Sequence, residues 1–342
     1  MRILIIRRDN IGDLVCTTPL LSALRGRYPN GWIGALVNSY NAPVLDRNPD
    51  VNAVIAYRKL KHLAAGESAL GALGERFAQL WRLRRMKLDC IVLAAPGLAT
   101  RALSLARWLK PRRIAGFSDG SRETERLDLK VPLASTRGVH EVEQVFALAK
   151  LFGVEGGIPP LKLVPDAGEV ARARSAFSGP LGLRVAVHVS ARRRAQRWPA
   201  SRWTDLIRRI HTGYGSACVL LWSPGPAHHP QHPGDDAKAA EIVSQIGAEV
   251  PVFPYPTATL PALIGALAAC DRVICSDGGA MHLAAALGKP IVALFGDSPV
   301  EHWRPWGVSH RVVRPDSRNL ADLPVEAVLE SYRELERALQ AG

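Results

Sequence analysis

The sequence predicts an α/β protein of two domains, each a doubly wound parallel sheet with helices on both faces. Three observations point there. Short apolar runs alternate with longer, helix-like stretches along most of the chain, the pattern of buried strands joined by crossover helices. Two of these runs, Ile3-Leu4-Ile5-Ile6 and Arg272-Val273-Ile274-Cys275, end in glycine-bearing turns that lead straight into helix-like sequence. The turns are Arg7-Arg8-Asp9-Asn10-Ile11-Gly12-Asp13 and Ser276-Asp277-Gly278-Gly279-Ala280-Met281-His282. Finally, 342 residues exceed what one hydrophobic core usually supports.

In the first half the rhythm runs from a strand at residues 2–7 through a helix over Leu14–Arg27, a strand over Trp32–Val37 and a short helix over Ala42–Asp46. A strand over Val54–Tyr57, a helix over Ala69–Arg85, a strand over Cys90–Ala94 and a helix over Arg101–Leu109 follow. A helix over His140–Phe152 closes the unit. Gly156-Gly157 and Pro159-Pro160 then interrupt the pattern, which sets the domains at residues 1–160 and 161–342, with a C-terminal helix able to pack back on the first. The second half restarts with a strand over Arg184–Val189, a helix over Ala200–His211, a strand over Ala217–Leu221, a helix over Ala237–Gln245 and a strand over Val252–Phe253. The stretch Leu260–Ala269, a strand over Arg272–Cys275, a helix over Met281–Leu287 and a strand over Pro290–Phe295 complete it. Two Rossmann-like domains facing each other across a cleft are the expected architecture.

The composition, 47% hydrophobic and 22% charged, is that of a globular chain rather than a disordered one. Its net charge of +13 comes largely from arginine, as in Arg82-Leu83-Arg84-Arg85-Met86-Lys87, Lys110-Pro111-Arg112-Arg113 and Arg192-Arg193-Arg194. This balance favours an anionic partner, whether nucleotide phosphates, nucleic acid or an acidic membrane surface; solvated faces explain any single run equally well. The first apolar stretch is followed at once by Arg7, Arg8 and Asp9, so no secretory leader is expected. No uncharged apolar run reaches about 18 residues, so no bilayer-spanning helix is expected either. Cys16, Cys90, Cys218, Cys270 and Cys275 lack CxxC spacing and read as reduced core residues. The loop at 224–236 carries His228, His229 and His232, but no carboxylate or cysteine completes a convincing metal-ligand set with them, and no metal site is expected.

Asp13 lies where the first strand gives way to the first helix. Two roles are open to it: a helix cap, or a general base at the carboxyl end of a strand, where reactive side chains collect in such folds. Asp9 competes with it in the same turn, and Thr17 and Thr18 either line the site or pack. At the second turn, small residues at a helix start let phosphates approach the backbone N–H groups. Asp277 would repel phosphate and is assigned to sugar hydroxyls or to the loop's own N–H groups, while His282 is open to a phosphate contact or a helix hydrogen bond. Arg192-Arg193-Arg194-Ala195-Gln196-Arg197-Trp198-Pro199 follows a strand end, and the planar guanidinium suits oxyanions; Trp198 reads as a packing anchor. Neither GxxxxGK[ST], GxGxxG, GxSxG nor an Asp-x-Asp pair for Mg²⁺ is present, so a diphosphate leaving group would be met by the helix end and by basic side chains.

These residues resemble a known family, the lipopolysaccharide heptosyltransferases of GT-B glycosyltransferase family 9. The resemblance rests on the Arg7–Asp13 turn with Thr17-Thr18-Pro19-Leu20-Leu21, on His140-Glu141, on Gln196-Arg197-Trp198-Pro199, and above all on the block from Ser276 through Lys289-Pro290 to Phe295-Gly296. It implies an inverting, metal-independent transfer of heptose from ADP-heptose, with no cofactor beyond that nucleotide-sugar donor, to a lipid-linked saccharide acceptor. Asp13 matches the family's catalytic base; Asn10, Gly12, Thr17 and Thr18 fall on the acceptor side. The donor side is Ser190, Arg194, Gln196, Arg197, Asp277, Gly278, Gly279, Ala280, Met281 and His282. The implied location is cytoplasmic, peripheral at an anionic inner-membrane surface, with no nucleic-acid partner. Two departures stand out. The family's lysine two residues before Trp-Pro is Gln196 here, leaving Arg194 or Arg197 to supply the charge. No acidic residue to bind the donor ribose is evident after the Ala217–Leu221 strand.

Two other functions compete. A sugar-nucleotide epimerase on a similar scaffold would act on the donor without an acceptor. A non-enzymatic binder of nucleic acid or membrane would follow from the charge alone and predicts steeply salt-dependent binding.

Overall fold

The computed structural model describes residues 1–57, 69–97, 100–177, 182–227, 234–248 and 250–341. His228, His229 and His232 lie outside the described residues. The chain divides into two compact units, Met1–Val164 and Pro165–Gly342.

The first unit is built on a parallel sheet of β1 (Arg2–Ile6), β2 (Trp32–Asn38), β3 (Ala53–Tyr57), β4 (Cys90–Leu93), β5 (Arg113–Ser118) and β6 (Leu129–Pro132). The strand order is β3-β2-β1-β4-β5-β6. Every residue of β4, and β1 from Ile3 onward, is buried, as a strand with both faces covered must be. Its helices are α1 (Ile11–Arg27), α2 (Ala69–Arg85), α3 (Thr100–Leu109) and α4 (Glu141–Phe146), the last running on as a 3₁₀ turn to Phe152. α1 packs on α4, whereas Leu83, Leu103, Ala106 and Leu109 of α2 and α3 pack on Leu4, Ile6, Ile91 and Leu93 of the sheet. α1 contains Pro19, which has no N–H for the carbonyl of Val15 four residues back. The Thr18 hydroxyl donates to that carbonyl instead, at 2.7 Å.

The second unit repeats the plan with β7 (Arg184–His188), β8 (Ala217–Trp222), β9 (Val252–Pro256), β10 (Arg272–Ser276), β11 (Ile291–Leu294) and β12 (His310–Val313). All are parallel, in the order β12-β11-β10-β7-β8-β9, so the sheet has the same winding as the first. Its helices are α5 (Ala167–Ala176), α6 (Ala200–Tyr214), α7 (Asp236–Ile246), α8 (Leu260–Ala268), α9 (Gly279–Ala286), α10 (Val300–Trp303) and α11 (Val325–Ala341). The apolar stripe of α11, Val325, Val328, Leu329, Tyr332 and Leu335, joins the core of this second unit, where α11 packs on α6, β11 and β12. Trp198 and Trp203 meet edge to face at 4.7 Å beneath it, and Trp198 Nε1 donates to the carbonyl of Leu323 at 2.9 Å.

The direction of winding reverses between β1 and β4 and again between β7 and β10. In open α/β sheets ligands collect outside the carboxyl ends of the strands at such switch points. All five cysteines are free and buried; burial pushes the thiols of Cys90, Cys218 and Cys270 up to about 12, so they remain protonated. Among the described residues no helix is long and apolar enough to cross a membrane.

Candidate active site

At the first switch point β1 delivers Arg7, only 1% exposed, into a nest of acceptors. Its Nη1 donates to the Ala94 carbonyl at the end of β4, which ties the two strands on either side of the reversal. Nε lies 3.0 Å from Asp9, and Nη2 lies 3.0 Å from Asp13 Oδ1 and 2.6 Å from Glu141 Oε1. Burial alone would work against a charged guanidinium, but Glu141, Asp13 and Asp9 outweigh it and raise the Arg7 pKa above its ordinary value. Asp9 is shifted up by burial, an effect that Arg7 opposes and that Asp13 and Glu141 reinforce.

Asp13 is the third residue of α1. Its Oδ2 accepts the Asn10 N–H at 2.8 Å while Oδ1 is held by Arg7, so both oxygens are anchored and the side chain is still 13% exposed. The turn that carries it is clamped from β2: Asn38 Nδ2 donates to the carbonyls of Arg8 at 2.7 Å and Asp9 at 3.2 Å, Asn41 Nδ2 donates to the Asp9 carbonyl at 3.2 Å, and the Tyr40 hydroxyl donates to Asp9. Asn10 is exposed and Gly12 is buried in the first turn of the helix. Thr17 and Thr18 are fully buried; Thr17 donates to the Asp13 carbonyl at 2.8 Å, and Thr18 accepts the Lys162 N–H at 3.0 Å besides replacing the proline's bond. Both threonines therefore shape and brace α1 from within.

In the second unit three loops converge at the carboxyl ends of β7, β10 and β11. Gln196 is buried and donates from Nε2 to Asp277 Oδ2 at 2.7 Å and to Ser298 Oγ at 2.8 Å. Arg193 Nη1 reaches Ser298 Oγ at 3.4 Å and Asp297 at 3.8 Å. Burial raises the Asp277 pKa, while Ser298, Arg193 and Gln196 hold it down and Asp297 adds to the rise. The loops after β7 and β12 meet the β11 loop at Gly296, where a Cβ would stand 2.5 Å from the Ala195 carbonyl oxygen and 3.2 Å from that of Arg318, so only glycine fits without moving backbone. Beside them opens a groove of about 850 Å³ lined by Arg192, Arg194, Arg197, Asp297, Arg318 and Asn319. Arg197 donates from Nε to the Ala191 carbonyl at 2.9 Å, which binds it to its own loop.

α9 begins at Gly279 immediately after Asp277 and Gly278, so its first N–H groups open next to that carboxylate. The side chains of Ala280, Met281 and His282 are buried, His282 against Trp303 at 5.8 Å, and only the backbone of this turn is presented. Ser190 Oγ accepts the Ser223 N–H at 2.9 Å and so ties the end of β7 to the end of β8. The acidic residues beyond β8 lie past the long loop: Asp236 accepts from Trp222 Nε1 at 2.7 Å and from the Gly225 N–H at 2.8 Å, and Asp235 pairs with Lys238 at 3.2 Å. Beneath them His188 is buried, and burial pushes its pKa down to about 4, with Asp235 opposing and Lys238 assisting. Among the described residues no group of three or more His, Cys, Asp or Glu side chains is placed to hold a metal ion.

The sequence reading does not single out Glu141 as a partner of Arg7, the Asn38-Tyr40-Asn41 clamp, Arg318, or Asp235 and Asp236. The clamp has a local signal, amide side chains directly after an apolar strand. The others depend on contacts between residues far apart in sequence.

Two doubly wound units of one winding, the first with a carboxylate cluster at its switch point and the second with a basic groove at the carboxyl ends of its strands, have the GT-B fold. The sequence profile of glycosyltransferase family 9 (heptosyltransferase) matches residues 76–333, and the chain belongs to that family. It is 27% identical over 338 residues to lipopolysaccharide heptosyltransferase 2 of Salmonella typhimurium, covering 92% of this chain and 88% of that one. Its fold is similar to that of the glycosyltransferase family 9 protein of Veillonella parvula, with a TM-score of 0.81, 20% identity and coverage of 98% and 96%. It is similar also to the ADP-heptose lipopolysaccharide heptosyltransferase II of Escherichia coli, with a TM-score of 0.77, 22% identity and coverage of 99% and 100%.

Proposed function

We propose that this glycosyltransferase moves a heptose from ADP-heptose to a saccharide acceptor of lipopolysaccharide, with inversion, without a metal ion or further cofactor, and with Asp13 as general base. The first unit takes the acceptor and the second the donor. One observation carries the reading: Asp13 is a carboxylate at a switch point, anchored through both oxygens yet still open to solvent. The names of the relatives supply the sugar and the nucleotide.

In the proposed step an acceptor hydroxyl gives its proton to Asp13, whose oxygens keep unused lone pairs beside the bonds from Arg7 and Asn10. The hydroxyl oxygen bonds to the anomeric carbon from the face opposite the nucleotide. The bond from that carbon to the β-phosphate oxygen breaks, and ADP departs with the electron pair. The N–H groups opening α9 and the arginines of the groove neutralise the charge that develops there. Asp277, held by Gln196, faces sugar hydroxyls, and Asp235 and Asp236 are the acids nearest a ribose at the end of β8. The cytoplasmic face of the inner membrane is the proposed place of action.

The test is product analysis with labelled ADP-heptose, with and without an acceptor lacking the terminal heptose, alongside thermal-shift screening of nucleotides. Acceptor-dependent heptose transfer and stabilisation by ADP are expected. Release of an epimerised donor without acceptor would replace this reading by the epimerase.

A further inference from the structure

We infer that the outer face of α2 and α3 docks the enzyme on an anionic lipid bilayer. Phe77 and Trp81, one turn apart on α2, stack with ring centroids 5.9 Å apart and planes 20° from parallel. Trp108 of α3 closes the cluster at 6.3 Å from Phe77 and 6.4 Å from Trp81. These rings are 59%, 45% and 36% exposed, although an aromatic cluster of this size is ordinarily buried. The inner sides of the same helices are spent on the core of the first unit, so the rings serve no packing there.

Charge decides what covers them. Arg82, Arg85, Lys87, Arg107, Lys110 and Arg112, all exposed, lie in the last turns of α2 and α3 or directly after them, and Arg84 lies over the Trp108 ring at 5.0 Å. Two-fold pairing with a second copy would press these like charges together. Single-stranded nucleic acid would take its stacking energy from open ring faces, but Phe77 and Trp81 already stack on each other. A bilayer rich in acidic phospholipid suits both features: tryptophan and phenylalanine settle at the level of the headgroups, and arginine and lysine pair with lipid phosphates. This surface deepens the proposed function and rests on it only in that a lipid-anchored acceptor is met at the same membrane.

The experiment is co-sedimentation of the full chain with phosphatidylglycerol-containing vesicles and with pure phosphatidylcholine vesicles. Two variants are compared, Phe77→Ser with Trp81→Ser, and Arg82→Gln with Arg85→Gln and Lys87→Gln, their folding checked by circular dichroism melting. The wild type is expected to bind the anionic vesicles selectively, and each variant to lose about tenfold or more of that partitioning, the charge variant losing its sensitivity to salt. Equal binding to both kinds of vesicle, or unchanged binding by both variants, overturns the inference. A wild-type dimer that the ring variant dissociates assigns the face to a second copy, and tighter binding to single-stranded DNA than to vesicles, lost in the same variant, assigns it to nucleic acid; both overturn it too. Heptose transfer to a water-soluble, deacylated acceptor is expected to be unchanged in both variants. Its absence from the wild type counts against the proposed reaction and not against this surface.

Discussion

Arg7 and Glu141 are 134 residues apart and meet at 2.6 Å, joining the end of β1 to the first turn of α4. Both are nearly fully buried. Glu141→Gln removes a charge that offsets a buried guanidinium, while Asp9 and Asp13 remain as partners. Breaking a buried pair costs about 3–5 kcal/mol, and the lower end, about 3 kcal/mol, is expected here by urea unfolding.

Asp13→Asn preserves shape and removes the proton acceptor. A fall in kcat of about 100-fold or more is expected, with the Kd for ADP unchanged, since general base catalysis is worth that much and the donor binds elsewhere. Turnover near the wild-type rate would take Asp13 out of the mechanism.

Arg194 and Arg197 are not equivalent candidates for the charge that Gln196 does not supply. Both line the groove, but the Nε of Arg197 is committed to the Ala191 carbonyl. Arg194→Ala is expected to weaken ADP binding about tenfold in calorimetry, the loss of one charge-assisted contact of about 1.5 kcal/mol. Arg197→Ala is expected to act on donor affinity less than on thermal stability. Equal losses of affinity from the two changes would reject this division.

Gly296→Ala tests the packing of the loop after β11 against those after β7 and β12. A Cβ 2.5 Å from a backbone oxygen forces the Ala195 segment or the Arg318 segment to shift. A loss of about 1–3 kcal/mol, the range for overpacking, is expected together with weaker ADP binding. A fully stable variant with wild-type affinity would show that the loops can part without consequence.

His188 gives the second unit a dependence on acid. Its folded-state pKa, about 4, lies below the ordinary 6.5, so between these values the unfolded chain binds a proton that the folded chain refuses. Its contribution is complete above about pH 6.5 and is lost as pH falls toward 4, a cost of about 3 kcal/mol at the bottom of that window. Denaturant titrations of wild type and His188→Gln at pH 4.5 and 7.5 check this; the pH slope of the variant is expected to be shallower.

The legible parts of the fold are those whose signal is local. The apolar runs of β1 through β4 and β7 through β11 are read from sequence, and α2 is read with its observed ends, Ala69 and Arg85. β6 escapes because it is an edge strand of half-exposed Leu129-Lys130-Val131-Pro132, and α5 because, of its ten residues, only Ala173 is buried. β5 opens with exposed Arg113 directly after a basic run, and β12 is short and only half-buried, which hides both. α11 does carry a clear apolar stripe, but its place on the second unit depends on contacts with α6, β11 and β12. The site divides in the same way: Asp13, Gln196 and Asp277 lie in glycine-bearing or loop motifs, whereas Glu141 and Arg318 matter through tertiary approach. Asp235 and Asp236 are separated from β8 by a loop long enough to hide their return.

Since every native thiol is enclosed in a core, the surface offers no thiol chemistry of its own. A single cysteine placed on each unit can therefore take a fluorophore or spin label without removing any natural cysteine. Distances measured between such labels would report whether the two units move as nucleotide arrives and product leaves, turning a packing habit into a spectroscopic handle.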